Sequence, residues 1–109
     1  MNPQPLTPTF AISPQITPTD IATLKALGYR TLINNRPDGE EPGQPLAAEI
    51  EAAAHAAGLA YAHIPVAGTL TPKAVAALRE VLAHKPSPIL AFCRSGKRSA
   101  TLWQASQGQ

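Results

Sequence analysis

Short apolar runs alternate with amphipathic segments along this chain, and the alternation predicts its secondary structure. The runs are typical of buried strands, whereas the amphipathic segments place apolar residues three or four positions apart, as one face of a helix does. Strands are predicted at residues 9–13, 30–35, 60–66 and 89–93. Helices are predicted at residues 17–28, 46–57 and 72–85, and a last, short helix should begin near Lys97 or Arg98.

The regular succession of strand and helix predicts an α/β fold with a mostly parallel sheet of four to five strands. Because the strands are continuous apolar runs, both faces of the sheet should be covered by helices. The length of 109 residues suits one domain. We therefore expect residues 1–109 to form a single domain, with the proline-rich residues 1–8 as a flexible N-terminal segment.

Two polar loops should leave the sheet at the same edge. One reads RPDGEEPGQP and covers residues 36–45, after the second predicted strand. The other reads CRSGKRS and covers residues 93–99, between the last strand and the last helix. Ligands of open parallel sheets bind at the carboxyl ends of the strands. Both loops are therefore expected to contribute to one binding site.

The only cysteine, Cys93, lies where a strand ends and a loop leads into a helix. The backbone N–H groups of such a loop and the helix dipole form an anion site, and Gly96 permits the positive φ that the loop needs. This setting should lower the pKa of Cys93 and make it a thiolate nucleophile. Arg98 is the predicted clamp for the bound anion. The competing interpretation is a small, buried and inert cysteine.

Further residues of the two loops are candidates for the same site. The predicted anion-binding set is Arg36, Arg94, Ser95, Gly96, Lys97, Arg98 and Ser99. Ser99 is expected either to hydrogen-bond the Cys93 thiolate or only to cap the last helix. Asp38 is the third catalytic candidate, because it could orient Arg98 or donate a proton. Alternatively, Asp38 pairs with Arg36 and forms a turn with Gly39.

The charge of the chain favours a small anionic ligand. The net charge is +2, and three of the nine lysines and arginines lie between Arg94 and Arg98. Nucleic acid would require a broader basic surface, so it is not an expected partner. The sequence has no apolar run of membrane-spanning length and no secretory signal pattern at its start.

Cysteine and histidine usage predicts the compartment and the absence of a metal. A single cysteine forms no internal disulfide, which favours the reducing cytoplasm. The three histidines show no ligand-like spacing, so neither a metal nor a cofactor is expected.

The loop CRSGKRS resembles the active-site loops of two groups of cysteine-dependent enzymes. Rhodanese-type sulfurtransferases place four residues between their cysteine and arginine, and protein tyrosine and dual-specificity phosphatases place five. This chain places four, between Cys93 and Arg98. Ser99 stands where the longer loop would have its arginine, and Phe92 replaces the histidine that precedes the phosphatase cysteine.

The wider sequence is similar to the phosphatase-like domain of beta-lactamase-hydrolase-like proteins. The similar segments are SPQIT, INNRPDGE, PGQP, HIPV and CRSGKRSATLW, spread over residues 13–103. This resemblance implies a phosphotyrosine-phosphatase-like α/β fold with a loop of rhodanese length. The domain also occurs fused to persulfide dioxygenases of metallo-β-lactamase fold, so the resemblance implies such an enzyme as a partner.

The missing acid and the loop length favour sulfur transfer over phosphate hydrolysis. A phosphatase needs a general acid, and the segment AGTL after HIPV, where dual-specificity phosphatases carry it, has none. The nearby carboxylates are Asp38, Glu40 and Glu41. We therefore predict a sulfurtransferase that forms a Cys93 persulfide from a persulfide or thiosulfate and passes the sulfur to a thiol acceptor. The alternatives are a phosphatase that cleaves a phosphate ester through phosphocysteine, and an anion-binding module without turnover.

Overall fold

The computed structural model describes residues 2–108, which form a five-stranded sheet and four helices. The strands are β1 (Gln4–Thr7), β2 (Phe10–Ser13), β3 (Thr31–Asn34), β4 (Ala60–His63) and β5 (Ile89–Phe92). The helices are α1 (Asp20–Ala26), α2 (Ala47–Ala56), α3 (Pro72–His84) and α4 (Lys97–Gln107). The strand order is β1-β2-β5-β3-β4, with β1 antiparallel to β2 and the other neighbours parallel. The predicted α/β fold with a mostly parallel sheet is therefore confirmed.

The central strands carry apolar side chains on both faces, and a pair of helices covers each face. Along β5, Ile89 and Ala91 pack against residues of α3 and α4, while Leu90 and Phe92 pack against residues of α1 and α2. Each fully buried aliphatic side chain contributes about 1.5–3 kcal/mol to folding relative to an exposed one. Within residues 2–108, none of the helices has the length and apolar character that a membrane crossing requires.

The two ends of the chain differ from the expectation. Residues 4–7 lie within the segment expected to be flexible, yet the structure places them in β1 on the edge of the sheet. Helix α4 runs for 11 residues rather than ending early. Leu102 of this helix is fully buried, and Trp103 stacks on Phe10 with ring centroids 5.9 Å apart. These contacts hold α4 against the sheet.

The sheet brings the two polar loops to one edge. Phe92, the last residue of β5, is the register partner of Ser13 at the end of β2 and of Asn34 at the end of β3. Because these strands are parallel, the loops that follow β3 and β5 leave from the same edge, as the sequence predicts.

Candidate active site

The cysteine loop joins β5 to α4 and surrounds the sulfur of Cys93. Cys93 is 0 % exposed, and its Sγ accepts a hydrogen bond of 3.0 Å from the backbone N–H of Gly96. Gly96 has a φ of +93°, which an L side chain rarely adopts, and a Cβ there would come within 3.4 Å of the Ser13 carbonyl oxygen. Glycine at this position therefore allows the loop to fold over the sulfur.

The loop stabilises the thiolate form of Cys93. Burial alone raises the pKa of the thiol, but the nearby backbone N–H groups of Ser99, Ser95 and Arg98 and the nearby Ser99 hydroxyl outweigh it by stabilising the thiolate. The pKa of Cys93 consequently lies below its ordinary value. A sulfur held by converging N–H groups favours the nucleophile interpretation over the inert cysteine.

Ser99 lies inside α4 rather than at its cap. The N-cap residue of this helix is Gly96, and the buried hydroxyl of Ser99 makes no well-aligned hydrogen bond among residues 2–108. The hydroxyl nevertheless lies close enough to Cys93 to lower the pKa of the thiol. The position excludes the helix cap, and the hydrogen bond to the thiolate stays a prediction.

Replacement of Ser99 by alanine should raise the pKa of Cys93, because it removes a nearby hydroxyl that stabilises the thiolate. The measurement is a pH titration of the ultraviolet absorbance of the thiolate, with Cys93→Ser as the blank, and the single cysteine makes the signal unambiguous. Ser106→Ala is the matched control, since its hydroxyl lies in the same helix and donates to the Trp103 carbonyl. An unchanged Cys93 pKa in Ser99→Ala would contradict the assigned contact.

Arg98 forms a bidentate ion pair with Glu40. Its Nη1 donates to Glu40 Oε2 at 2.7 Å and its Nη2 donates to Glu40 Oε1 at 2.8 Å, while Nη1 also donates to the Val66 carbonyl at 2.7 Å. The Glu40 carboxylate raises the pKa of Arg98, and the Cys93 thiolate adds to this effect. The guanidinium is therefore fixed beside the thiolate and is permanently charged.

Arg36 is buried and stabilises the 36–45 loop through hydrogen bonds. Its side chain is only 2 % exposed, and its three nitrogens donate to Glu40 Oε1, Glu41 Oε1 and Gln15 Oε1 at 2.8, 2.8 and 3.1 Å. The expected pairing of Arg36 with Asp38 is therefore wrong, because Glu40 and Glu41 occupy its guanidinium. A buried arginine needs such partners to offset the loss of hydration.

Asp38 lies at the start of α2 rather than against Arg98. Its Oδ1 accepts a 2.7 Å hydrogen bond from the backbone N–H of Ala47, the first residue of the helix. A carboxylate at this position satisfies an unpaired N–H and complements the helix dipole. The residue that contacts Arg98 is Glu40, two positions further along the same loop.

Replacement of Asp38 by alanine should lower the free energy of unfolding by about 1 kcal/mol, the usual loss when a helix start loses its side-chain acceptor. Asp38→Asn should lose less, because the amide oxygen still accepts from Ala47. Urea denaturation measures both. The pKa of Cys93 should be unchanged in both variants, and a shift would place Asp38 back in the site.

The ion pairs of Glu40 should make the free energy of unfolding depend on pH. Arg98, and to a smaller extent Arg36, lower the pKa of Glu40 to about 2 from an ordinary 4.5. Because the folded pKa is the lower one, the stabilisation is present above about pH 4.5 and is lost as pH falls towards 2. The free energy of unfolding of Glu40→Gln should therefore depend less on pH in this window than that of the original chain. The same pH dependence of the free energy of unfolding in Glu40→Gln and in the original chain would contradict the assigned ion pairs.

An open cavity of about 530 Å³ lies above the loop. Its lining residues are Arg36, Glu40, Glu41, Ala67, Arg94 and Arg98. Cys93 is fully buried and is not one of these lining residues, although its neighbours in sequence, Arg94 and Arg98, are. Access to the sulfur therefore requires some movement of the residues around it.

The other predicted anion-binding residues take different positions. Arg94 lines the cavity with a side chain that is 70 % exposed, and its Nε lies 3.8 Å from Glu41 Oε1. Lys97 is exposed at the start of α4, and its backbone N–H donates to the Ser95 hydroxyl. Among residues 2–108, no group of three His, Cys, Asp or Glu side chains is arranged to hold a metal ion.

Residues 4–109 match the family described as "Beta-lactamase hydrolase-like protein, phosphatase-like domain". A beta-lactamase hydrolase-like protein from Agrobacterium fabrum is 43% identical over 96 residues, which cover 87% of this chain and 22% of that protein. One from Xylella fastidiosa is 41% identical over 99 residues, covering 90% of this chain and 23% of that protein. The chain thus spans less than a quarter of the length of these curated relatives.

Solved structures show the same fold. A proposed phosphatase from Neisseria meningitidis superposes with a TM-score of 0.85 and 35% identity, over 97% of this chain and 78% of that one. A proposed phosphatase from Shewanella putrefaciens has a TM-score of 0.83 at 22% identity, covering 96% of this chain and 69% of that one. A mutant form of Tk-PTP has a TM-score of 0.64 at 14% identity, over 87% of this chain and 62% of that one. The phosphatase-like fold is therefore established.

Proposed function

Because the chain belongs to the family of phosphatase-like domains of beta-lactamase hydrolase-like proteins, we propose that it hydrolyses phosphate monoesters through a phosphocysteine at Cys93. One observation carries the proposal: several backbone N–H groups and the Arg98 guanidinium converge on the Cys93 sulfur. Donors arranged in this way stabilise the negative charge of a transferring phosphoryl group. The similarity to proposed phosphatases supports the same reaction.

The reaction proceeds in two displacements. The Cys93 thiolate attacks phosphorus, the S–P bond forms, and the bond from phosphorus to the ester oxygen breaks. The loop N–H groups and Arg98 bind the non-bridging oxygens while charge develops on them. Water then attacks the phosphocysteine, the S–P bond breaks, and inorganic phosphate leaves with the thiolate restored.

Glu40 acts as a positioning residue in this scheme. Its carboxylate holds both Nη atoms of Arg98, so that the guanidinium enters the reaction already oriented. Glu40 is itself held by Arg36. The buried arginine thus supports the clamp from the neighbouring loop.

A sulfurtransferase is the second candidate, and the ionised form of the two carboxylates that line the cavity favours it. Glu40 and Glu41 are engaged by arginines that lower their pKa values, so neither is suited to protonate a leaving group. Sulfur transfer requires no such acid. The thiolate attacks a sulfane sulfur, the S–S bond breaks, sulfite or a thiolate leaves, and a Cys93 persulfide remains for a thiol acceptor. A persulfide dioxygenase of metallo-β-lactamase fold is the partner proposed for this candidate.

Parallel assays with an aryl phosphate and with thiosulfate plus a thiol acceptor distinguish the candidates. Our proposal expects release of inorganic phosphate and no release of sulfite. Sulfite release with the aryl phosphate left intact would establish the sulfurtransferase. An anion-binding module would release neither, although phosphate would still bind to the loop. Either enzyme needs a reduced thiol, so the cytoplasm is the proposed location.

A further inference from the structure

We propose that the substrates are phosphoryl compounds whose leaving group departs as an unprotonated anion, and that Arg94 stabilises this anion. The substrate class is aryl phosphates of acidic phenols and acyl phosphates, as opposed to alkyl phosphates such as phosphoserine. This inference rests on the proposed phosphatase function and defines its specificity.

The carboxylates that line the cavity are both held by arginines. Glu40 binds Arg98 through both oxygens and also accepts from Arg36. Glu41 accepts from Arg36 at 2.8 Å and faces Arg94. Protonation of either carboxylate would break these pairs, so both remain ionised at neutral pH and cannot donate a proton.

The remaining acid candidates lie elsewhere. Asp38 is bonded to the backbone of α2. His63, at the end of β4, contacts the Arg36 carbonyl through Nε2 at 2.9 Å and does not line the cavity that Arg94 and Arg98 line. The segment at residues 67–70, which follows that strand, reads AGTL and has no ionisable side chain. Within residues 2–108, no side chain beside the cavity is therefore suited to act as the general acid.

Arg94 offers an alternative to proton transfer. It follows Cys93 directly, lines the cavity, and keeps most of its side chain exposed. Its guanidinium forms an exposed ion pair with Glu41, with 3.8 Å between Nε and Oε1, and such weak surface pairs can be exchanged for another anion. A cation at the cavity wall lowers the energy of an oxygen anion that departs from phosphorus. The electron pair of the broken P–O bond then stays on the leaving oxygen, and no proton is consumed.

A series of aryl phosphates tests the leaving-group dependence. The phenols should range from nitro-substituted, which are acidic, to alkyl-substituted, which are weakly acidic, and phosphate release by the whole chain gives kcat/KM for each. General acid catalysis contributes about 10²–10⁴-fold, so the least acidic phenols should react at least about 10²-fold more slowly than the most acidic. Acetyl phosphate should belong with the fast substrates.

The outcomes separate this inference from the proposed function. Phosphate release at equal kcat/KM across the series would overturn the inference alone, because it would require a working acid. Phosphate release from no member of the series would overturn the proposed function, and the inference with it.

Replacement of Arg94 by glutamine tests the second part of the proposal. The loss in kcat/KM should be roughly fivefold for weakly acidic phenols, the effect of one exposed charge, and smaller for acidic phenols. Lys73→Gln is the charge-matched control, because Lys73 is exposed on α3 and does not line this cavity. An equal loss for every phenol in Arg94→Gln would assign the residue to general substrate binding and would overturn its role at the leaving group.

Discussion

Replacement of Cys93 by serine should lower phosphate release by at least about 10⁴-fold, the order of loss when a nucleophilic enzyme loses its nucleophile. The serine hydroxyl is un-ionised at neutral pH, and residues 93–99 contain no carboxylate or histidine that could activate it. The measurement is kcat with an aryl phosphate that has an acidic phenol.

Retained anion binding is the control for this variant. The backbone N–H groups and Arg98 are unchanged in Cys93→Ser, so inorganic phosphate should still stabilise the variant against thermal unfolding. A folded, phosphate-binding and inactive Cys93→Ser would assign the loss to chemistry. Turnover close to that of the original chain would exclude Cys93 as the nucleophile.

Replacement of Arg98 by lysine should lower kcat/KM by about 10²–10³-fold, the loss expected when one donor to a developing anion is removed. Lysine keeps the charge but lacks the planar fork that binds Glu40 at two points and faces Cys93. Steady-state kinetics with the same substrate measure the effect.

Glu40→Gln is the matched variant for Arg98→Lys. It leaves the guanidinium in place but weakens its orientation, so we expect a smaller loss, about 10-fold, that is the same for every leaving group. A loss confined to weakly acidic phenols would instead identify Glu40 as a proton donor. An Arg98→Lys variant with full activity would contradict the role of the clamp.

The parts of the fold that the sequence predicts are those with a regular apolar pattern, which is a continuous run in a strand and a spacing of three or four residues in a helix. The four parallel strands and their helices are encoded in this way. The sequence does not predict strand β1, because its residues, QPLT, have no apolar periodicity and include Pro5. An edge strand bonds to one neighbour only, so it tolerates a proline whose missing N–H faces outward.

The parts of the site that the sequence predicts are local. Cys93, Gly96 and Arg98 lie within six consecutive residues, so a strand–loop–helix pattern places them together. The contact of Arg98 with Glu40 joins residues 58 positions apart. The choice between Asp38 and Glu40 depends on how the 36–45 loop turns at its glycines, and the sequence pattern does not encode that turn.

The shorter loop and the absent acid, taken by themselves, favour sulfur transfer. The family and the structural similarity favour phosphate chemistry instead. The shorter loop and the absent acid are compatible with a phosphatase if they limit which leaving groups it can release. Sulfur transfer stays the second candidate, because the thiolate and the surrounding N–H groups and Arg98 can serve either reaction.

The mass of the Cys93 peptide during turnover tests the central claim most directly. The chain is mixed with a fast aryl phosphate, quenched in acid within one turnover, and digested for mass spectrometry. Our account predicts one phosphoryl group on Cys93 and none on the same peptide of Cys93→Ser. Release of phosphate with Cys93 unmodified at every quench time, or a single added sulfur after thiosulfate with no phosphoryl adduct, would contradict it.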